Sequence, residues 1–388
     1  MVSDNRGHPR TFRIYKLTIN NMKTKLPLLK TAILSVSICL IGLSSCKKDH
    51  TEIERERYTT GIYVLGEGTV GNNNSAISFY DVEKNLTVVD YYKQVNGIGL
   101  GETANDLQQY GSKMYCVVSG IQGEKKSFVD VMELSTGKSI KRISFNTETD
   151  GAIPRFIAFY KNKAYVSRYD GKVSRIDTAS LTIDGEVMLS EGLEGLAVAN
   201  GKLYVANSSH RFYQEKGAKN KVSVIDLLNF KKIKDIEVNN NPVSVAAGEN
   251  GQVFVVTVND YIIGNAPSLD LINSTTDTKV SSFPYDIGSI AIQQNIGYVV
   301  TDPYMNAQVK PLDLNTGALG SPLITDGTSI KTYYGLSINP LNNEVLVSDA
   351  NGYGTTGFVY AFGTDGKKKY EATVTGLPKH AVYLYKTR

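Results

Sequence analysis

From residue 61 onward the chain cycles through two alternations of apolar and polar positions. The first is a pair of apolar runs about a tight turn, as in Arg155-Phe156-Ile157-Ala158-Phe159-Tyr160, then Lys161-Asn162, then Lys163-Ala164-Tyr165-Val166-Ser167. The second is a hairpin with one polar face, as in Lys221-Val222-Ser223-Val224-Ile225-Asp226 through Lys234-Asp235-Ile236-Glu237-Val238. Period-two alternation over runs this short marks half-buried strands. The first pattern recurs near 105–119, 154–168, 193–207, 241–258, 287–301 and 333–349. The second recurs near 76–92, 128–145, 172–187, 221–238, 268–283, 308–323 and 357–374. The inner pair missing from the first set is split between the ends, one strand from Gly61–Leu65 and one from Leu377–Tyr385. Asp81 and Gly363 occupy equivalent turns, which gives about 47 residues per unit, and a four-stranded unit of that length is a propeller blade. The predicted fold is all-β: a seven-bladed β-propeller of four-stranded antiparallel blades over 61–388. It is closed by pairing strand 61–65 with strand 377–385, which hides sheet edges that would otherwise be open.

Ahead of the repeats the pattern changes. Met22-Lys23-Thr24-Lys25 is followed by an apolar run from Thr31 to Leu43 and then by Leu43-Ser44-Ser45-Cys46. A basic start, a short apolar run and small residues before a cleavage point are a secretory signal. The run is too short to span a bilayer, which takes about 20 residues. Cys46 directly after Leu-Ser-Ser looks like a lipobox, so its thiol is the expected site of lipid attachment. Residues 1–21 carry no apolar run and read as sequence ahead of the true start; 22–45 is the signal peptide and 46–60 a polar lipidated tether. The run Lys47-Lys48-Asp49-His50-Thr51-Glu52 resembles the surface-export signals of Bacteroidota lipoproteins. The expected location is the outer membrane, exposed at the cell surface.

Composition sharpens this picture at three points. A chain of 388 residues suggests two or three domains, but a ring that grows by adding blades needs only one. Three Cys cannot build a disulfide scaffold, and four His leave little for a zinc enzyme. The net charge of +4 belongs to the leader: residues 46–388 hold 35 basic and 37 acidic side chains, a net of −2. No nucleic-acid partner follows from the charge.

Loop lengths point to a working face. Turns such as Tyr110–Lys113, Ala199–Lys202, Leu134–Lys138 and Asp313–Gly317 are short. Connections on the other face are longer, at 66–75, 93–104, 119–128, 207–220, 258–268, 302–308, 324–331 and 349–357. Longer connections tend to carry function. The candidate ligand-binding residues there are Arg155, Arg168, Tyr169, Arg211, Tyr213, Tyr261, Tyr304, Tyr334 and Tyr353, with Tyr333 and Lys379 also at strand mouths. Tyrosine offers a rigid apolar face with a polar tip, and arginine offers donors, a mixture suited to a large polar ligand or a protein partner.

Other chemistry is weakly signalled. Gly66-Glu67-Gly68-Thr69-Val70-Gly71 imitates a dinucleotide fingerprint, but it leads into the strand Ala76–Tyr80 rather than a helix. Cys116 lies within an apolar strand and reads as a buried thiol. His210 is an exposed loop residue, and His380 is placed to line a central channel. No catalytic residue, metal set or cofactor motif is legible, and no Asp–Asn–Gly loop has calcium-ligand spacing.

Gly61-Ile62-Tyr63-Val64-Leu65-Gly66-Glu67-Gly68 with Asn74–Asp81, Ala164-Tyr165-Val166-Ser167 with Ile176-Asp177-Thr178, and Tyr333–Pro340 together resemble the YncE-like, surface-layer-type seven-bladed propeller lipoproteins of Bacteroidota. The resemblance covers about 61–386. That family includes cell-surface proteins that capture cobalamin and pass it to a TonB-dependent transporter. It implies a lipid-anchored binding protein for a corrinoid, a glycan or another nutrient, with no cofactor of its own. No known ligand residue of the cobalamin binders maps onto this chain, which also lacks Trp. Two other classes stay open: an adhesion or protein-interaction surface, and a lactonase- or quinoprotein-like propeller enzyme.

Overall fold

A computed structural model of the chain describes residues 56–208, 219–259 and 264–388. They form seven antiparallel sheets, and each innermost strand packs against the innermost strands of its two neighbours, closing a ring. This is the seven-bladed propeller that the repeats predict. The lipobox with Cys46, and the candidates Arg211, Tyr213 and Tyr261, lie outside the described residues, as does His210.

Six blades run from the axis outwards in simple order. In blade 3, for example, Pro154–Tyr160 is innermost and is followed by Lys163–Arg168, Lys172–Asp177 and Thr182–Met188. Blade 1 is the exception, because its innermost strand Pro378–Thr387 comes from the C-terminus. That strand pairs with Arg57–Gly66, and the ladder runs from Arg57↔Thr387 to Gly66↔Pro378. The propeller thus begins ahead of the expected boundary at Gly61, since Arg57, Tyr58 and Thr59 find partners in Thr387, Lys386 and Tyr385.

Blade 6 has three regular strands, Ile287–Gln293, Ile296–Thr301 and Gln308–Leu312. Its fourth position is filled by a run that bridges at Leu312↔Leu319. The N–H groups of Gly320 and Leu323 there donate to the carbonyls of Pro311 and Val309 at 2.9 and 2.8 Å. Pro311 and Pro322 each lack an N–H, so a full ladder cannot form.

The core lies between blades. The second strand of each blade is the most buried, as in Lys163–Arg168 and Lys202–Asn207. Tyr115, Val129 and Val131 of blade 2 pack with Ile157, Val166 and Ile176 of blade 3 in one cluster. Each fully buried Val, Leu or Ile contributes about 1.5–3 kcal/mol, against ~0–1 kcal/mol for an exposed ion pair. Apolar burial between blades therefore holds the ring. Outermost strands such as Lys231–Glu237 are mostly exposed and rich in Lys, Asp and Glu, which protects the sheet edge.

One connection expected as a loop carries a helical turn, Tyr91–Asn96. The Asp90 carboxylate accepts the Lys93 N–H at 3.1 Å, and Gly97 ends the turn with φ of 71°. Both are ordinary capping devices.

Candidate functional site

Each innermost strand carries the same irregularity near its start on the long-loop face. Its register with the second strand slips at the second residue, as between Tyr333 and Gly335, between Pro154 and Ile157, and between Ile287 and Ser289. A bulge of this kind re-aims a side chain. Seven bulges in a ring bring seven residues together around the mouth of the central channel. In blade order from blade 7, five of them are polar: Tyr334, Lys379, Asn105, Arg155 and Glu194. The remaining two, from blades 5 and 6, are Val243 and Gly288.

The polar five form one bonded arc. Tyr334 donates its hydroxyl to Glu67. Lys379 Nζ donates to Glu67 at 3.2 Å and to Asn105 Oδ1 at 3.0 Å. Asn105 Nδ2 donates to the Arg155 carbonyl at 2.6 Å. Arg155 Nε donates to Glu194 at 3.0 Å, and the Tyr169 hydroxyl donates to the other oxygen of Glu194. The Arg155 guanidinium also lies over the Tyr169 ring at 4.7 Å. The arc therefore contains two Tyr–Glu–cation triples side by side.

Electrostatics follow from that pairing. Burial opposes the charge on Glu67, but Lys379, the Tyr334 hydroxyl and Arg155 outweigh it and hold the carboxyl below its usual range. Burial, with Glu67 and Glu194 respectively, pushes Tyr334 and Tyr169 far up, so both stay protonated donors. Burial works against the Arg155 charge, and Glu194 foremost restores it.

Close approach of backbones shapes the rest. A Cβ on Gly335 would stand 2.1 Å from the Lys379 carbonyl oxygen, so only glycine lets blades 7 and 1 meet there. A Cβ on Gly288 would meet Pro303 Cβ at 2.6 Å. The two nonpolar positions leave a gap in the arc, and a cavity of about 500 Å³ opens beside it. One wall is the arc, with Tyr334, Lys379, Arg155 and Glu194; the other is Val243, Val256, Val258, Pro267 and Pro303, with Asp286 and Tyr304 at the same side. This volume lies within the range of small-molecule sites, about 300–1,000 Å³.

Beneath the mouth the channel continues as a second cavity of about 530 Å³, lined in part by Gln108, Ser244, Ser289 and His380. Asp106 Oδ2 accepts the Ile157 N–H at 3.0 Å, and Oδ1 accepts from Gln108 at 3.0 Å. His380 Nε2 stands 3.8 Å from Asp106 Oδ1. Burial lowers the His380 pKa despite Asp106, so the ring is neutral near pH 7. Among the described residues no three His, Cys, Asp or Glu side chains gather as a metal set.

The sequence candidates divide. Arg155, Tyr334 and Tyr304 line the mouth cavity. Tyr353 is exposed at the rim, edge-on to Tyr334 at 6.3 Å. Tyr169 is buried behind Glu194 and supports it. Arg168 does not line the mouth; it is buried and bonded to Asp170, to Glu186 and to Ser174 Oγ at 2.9 Å. It braces blade 3. Tyr333 is half-buried in its strand, and Cys116 is fully buried, its thiol pushed up by burial. The Gly66–Gly71 run leads to strand Ala76–Asp81 with no helix, and buried Glu102 accepts the N–H groups of Gly71 and Asn73 at 2.7 and 2.8 Å.

Glu67, Asn105, Glu194, Val243 and Asp286 were not singled out from the sequence. All seven mouth positions, Asn105, Glu194 and Val243 among them, fall on the second residue of an innermost strand, so aligning the repeats on that residue would have found them. Glu67 and Asp286 stand outside that register.

A protein-family model described as "Domain of unknown function (DUF5074)" matches residues 60–383. No curated protein matches the chain. Among solved structures, a quinonprotein alcohol dehydrogenase-like protein from Bacteroides thetaiotaomicron aligns at 17% identity with a TM-score of 0.60, over 84% of this chain and 79% of that one. Hydrazine synthase from Kuenenia stuttgartiensis aligns at 14% identity with a TM-score of 0.50, over 65% of this chain and 74% of that one. Identities this low bear on the fold alone. The resemblance drawn from the sequence holds at the level of the seven-bladed fold.

Proposed function

The chain belongs to the DUF5074 family, and because that description names no activity, we propose a function from the mouth itself: this is a binding protein that takes a small ligand at the long-loop end of its channel. The observation that carries this reading is the cavity of about 500 Å³ between a bonded polar arc and an apolar wall. A prearranged arc orients polar groups without first having to be ordered, and the apolar wall supplies area to bury. Catalysis would ask for a reactive group held ready, whereas both carboxylates of the arc are committed to tyrosine and cation partners.

The lipobox reading adds anchoring through Cys46 at the outer membrane, facing the cell surface, with delivery to a TonB-dependent transporter. The ligand would then be a nutrient, and a corrinoid or a glycan is the first to test. A corrinoid is larger than this cavity and would enter by an edge. Isothermal titration with cyanocobalamin and a panel of glycans tests the ligand. Surface labelling of whole cells, with Cys46→Ala as control, tests the anchor, and co-purification of a transporter from outer membranes tests the delivery.

A protein partner is a second reading, favoured by Tyr304, Met305 and Tyr353 on the same face. They are 81%, 93% and 60% exposed. Pull-down with and without Met305→Asp separates this reading from the first.

A further inference from the structure

Charge is divided unevenly between the two walls of the mouth. Both cations of the arc are already held, Arg155 by Glu194 at 3.0 Å and Lys379 by Glu67 at 3.2 Å. An incoming anion would have to displace a largely buried carboxylate from one of them, leaving that carboxylate unpaired. The opposite wall holds Asp286, which lines the cavity among Val243, Val258, Pro267 and Pro303. The charge it feels there is a second carboxylate, Asp302, and no cation among the described residues pairs with it; burial and Asp302 together raise its carboxyl. Asp286 is half-buried, so its charge keeps part of its water, and a cation on the apolar wall beside it would relieve what burial and Asp302 oppose.

We propose that this pocket selects a small organic cation, an ammonium group on an apolar body, with the ammonium at Asp286 and the hydrocarbon against Val243, Val258 and Pro303. The inference rests on the mouth being the ligand site. An anion of the same shape meets repulsion from Asp286, with Asp302 beside it, and finds no open cation among the described residues that line the cavity. A neutral analogue keeps the apolar contact and leaves Asp286 uncompensated.

A matched set of probes tests this on the full chain by isothermal titration: benzylamine, benzyl alcohol and benzoate at pH 7. Benzylamine is expected to bind at least tenfold more tightly than either of the others. Asp286→Asn is expected to weaken benzylamine at least tenfold and not to weaken benzyl alcohol. Val243→Trp, which fills the cavity, is expected to abolish both. Benzoate binding as tightly as benzylamine, or benzylamine indifferent to Asp286→Asn, overturns the charge preference. If the probes still lose binding in Val243→Trp, the mouth survives as the site while the cation inference fails. If no probe binds, or if binding ignores Val243→Trp, the cation inference fails, and in the second case the probes locate binding away from the mouth.

Discussion

The Tyr334 hydroxyl donates to the Glu67 carboxylate across 267 positions of sequence and ties the seventh blade to the loop between the second and third strands of the first. Lys379 reaches the same carboxylate from the C-terminal strand. Three segments that meet only when the ring is closed therefore converge on one side chain.

Removing that side chain is expected to loosen the closure. Glu67→Ala leaves the Lys379 ammonium and the Tyr334 hydroxyl without their acceptor. A wholly buried broken pair costs about 3–5 kcal/mol, and the residual exposure here lowers the expectation to about 2 kcal/mol. Urea unfolding measures it. Glu83→Ala, which removes an exposed pair with Lys386, is the control and should leave the midpoint unchanged.

Acid sensitivity should follow from His380 and Glu67. The folded-state pKa of His380 lies below its usual value. The unfolded chain therefore takes up the proton first, and stability is full above about pH 6.5 and falls as the pH drops below it. Glu67 is also held low, so its contribution is present above about pH 4.3 and is lost on further acidification. His380→Gln should flatten the melting temperature between about pH 6.5 and 5. An unchanged slope in that variant would assign the acid sensitivity to other groups.

Deleting residues 377–388 removes the innermost strand of blade 1 and opens the ring. Because neighbouring blades share their cores, the loss should spread beyond one blade. Circular dichroism is expected to show one broad transition well below that of the full chain. A melt matching the full chain contradicts closure by this strand.

Gly335→Ala should disturb the mouth, since the added Cβ meets the Lys379 carbonyl oxygen at 2.1 Å. Overpacking of this kind costs about 1–3 kcal/mol. Gly99→Ala, where nothing lies within 4 Å, is the matched control for the urea midpoint.

The fold was legible because its period is. The buried run Ala164–Arg168 recurs in the second strand of each blade, outer strands such as Thr182–Met188 are mostly exposed, and the split unit at the ends required a closed ring. The sixth blade's irregular edge was harder to read, because Pro311 and Pro322 act through a ladder whose register is not visible in one strand. The helical turn at Tyr91–Asn96 was signalled by Asp90 and Gly97, but too briefly to stand out from a loop. Among site residues, Arg155 and Tyr334 were legible as polar side chains at strand mouths. Arg168 carried the same signal and is consumed by Asp170 and Glu186. Glu194, Asn105 and Val243 acquire meaning only from the bulge that aims the second residue of every innermost strand at the axis, a tertiary feature.

The central claim is that ligands bind off-axis in the mouth, between the arc and the apolar wall of blades 5 and 6. Its most direct test is isothermal titration of the full chain and of Val243→Trp against benzylamine, cyanocobalamin and a panel of neutral glycans. The expected result is that every ligand bound by the full chain is lost in Val243→Trp, with an unchanged unfolding midpoint. A ligand that binds both proteins equally would place the site elsewhere and contradict the account.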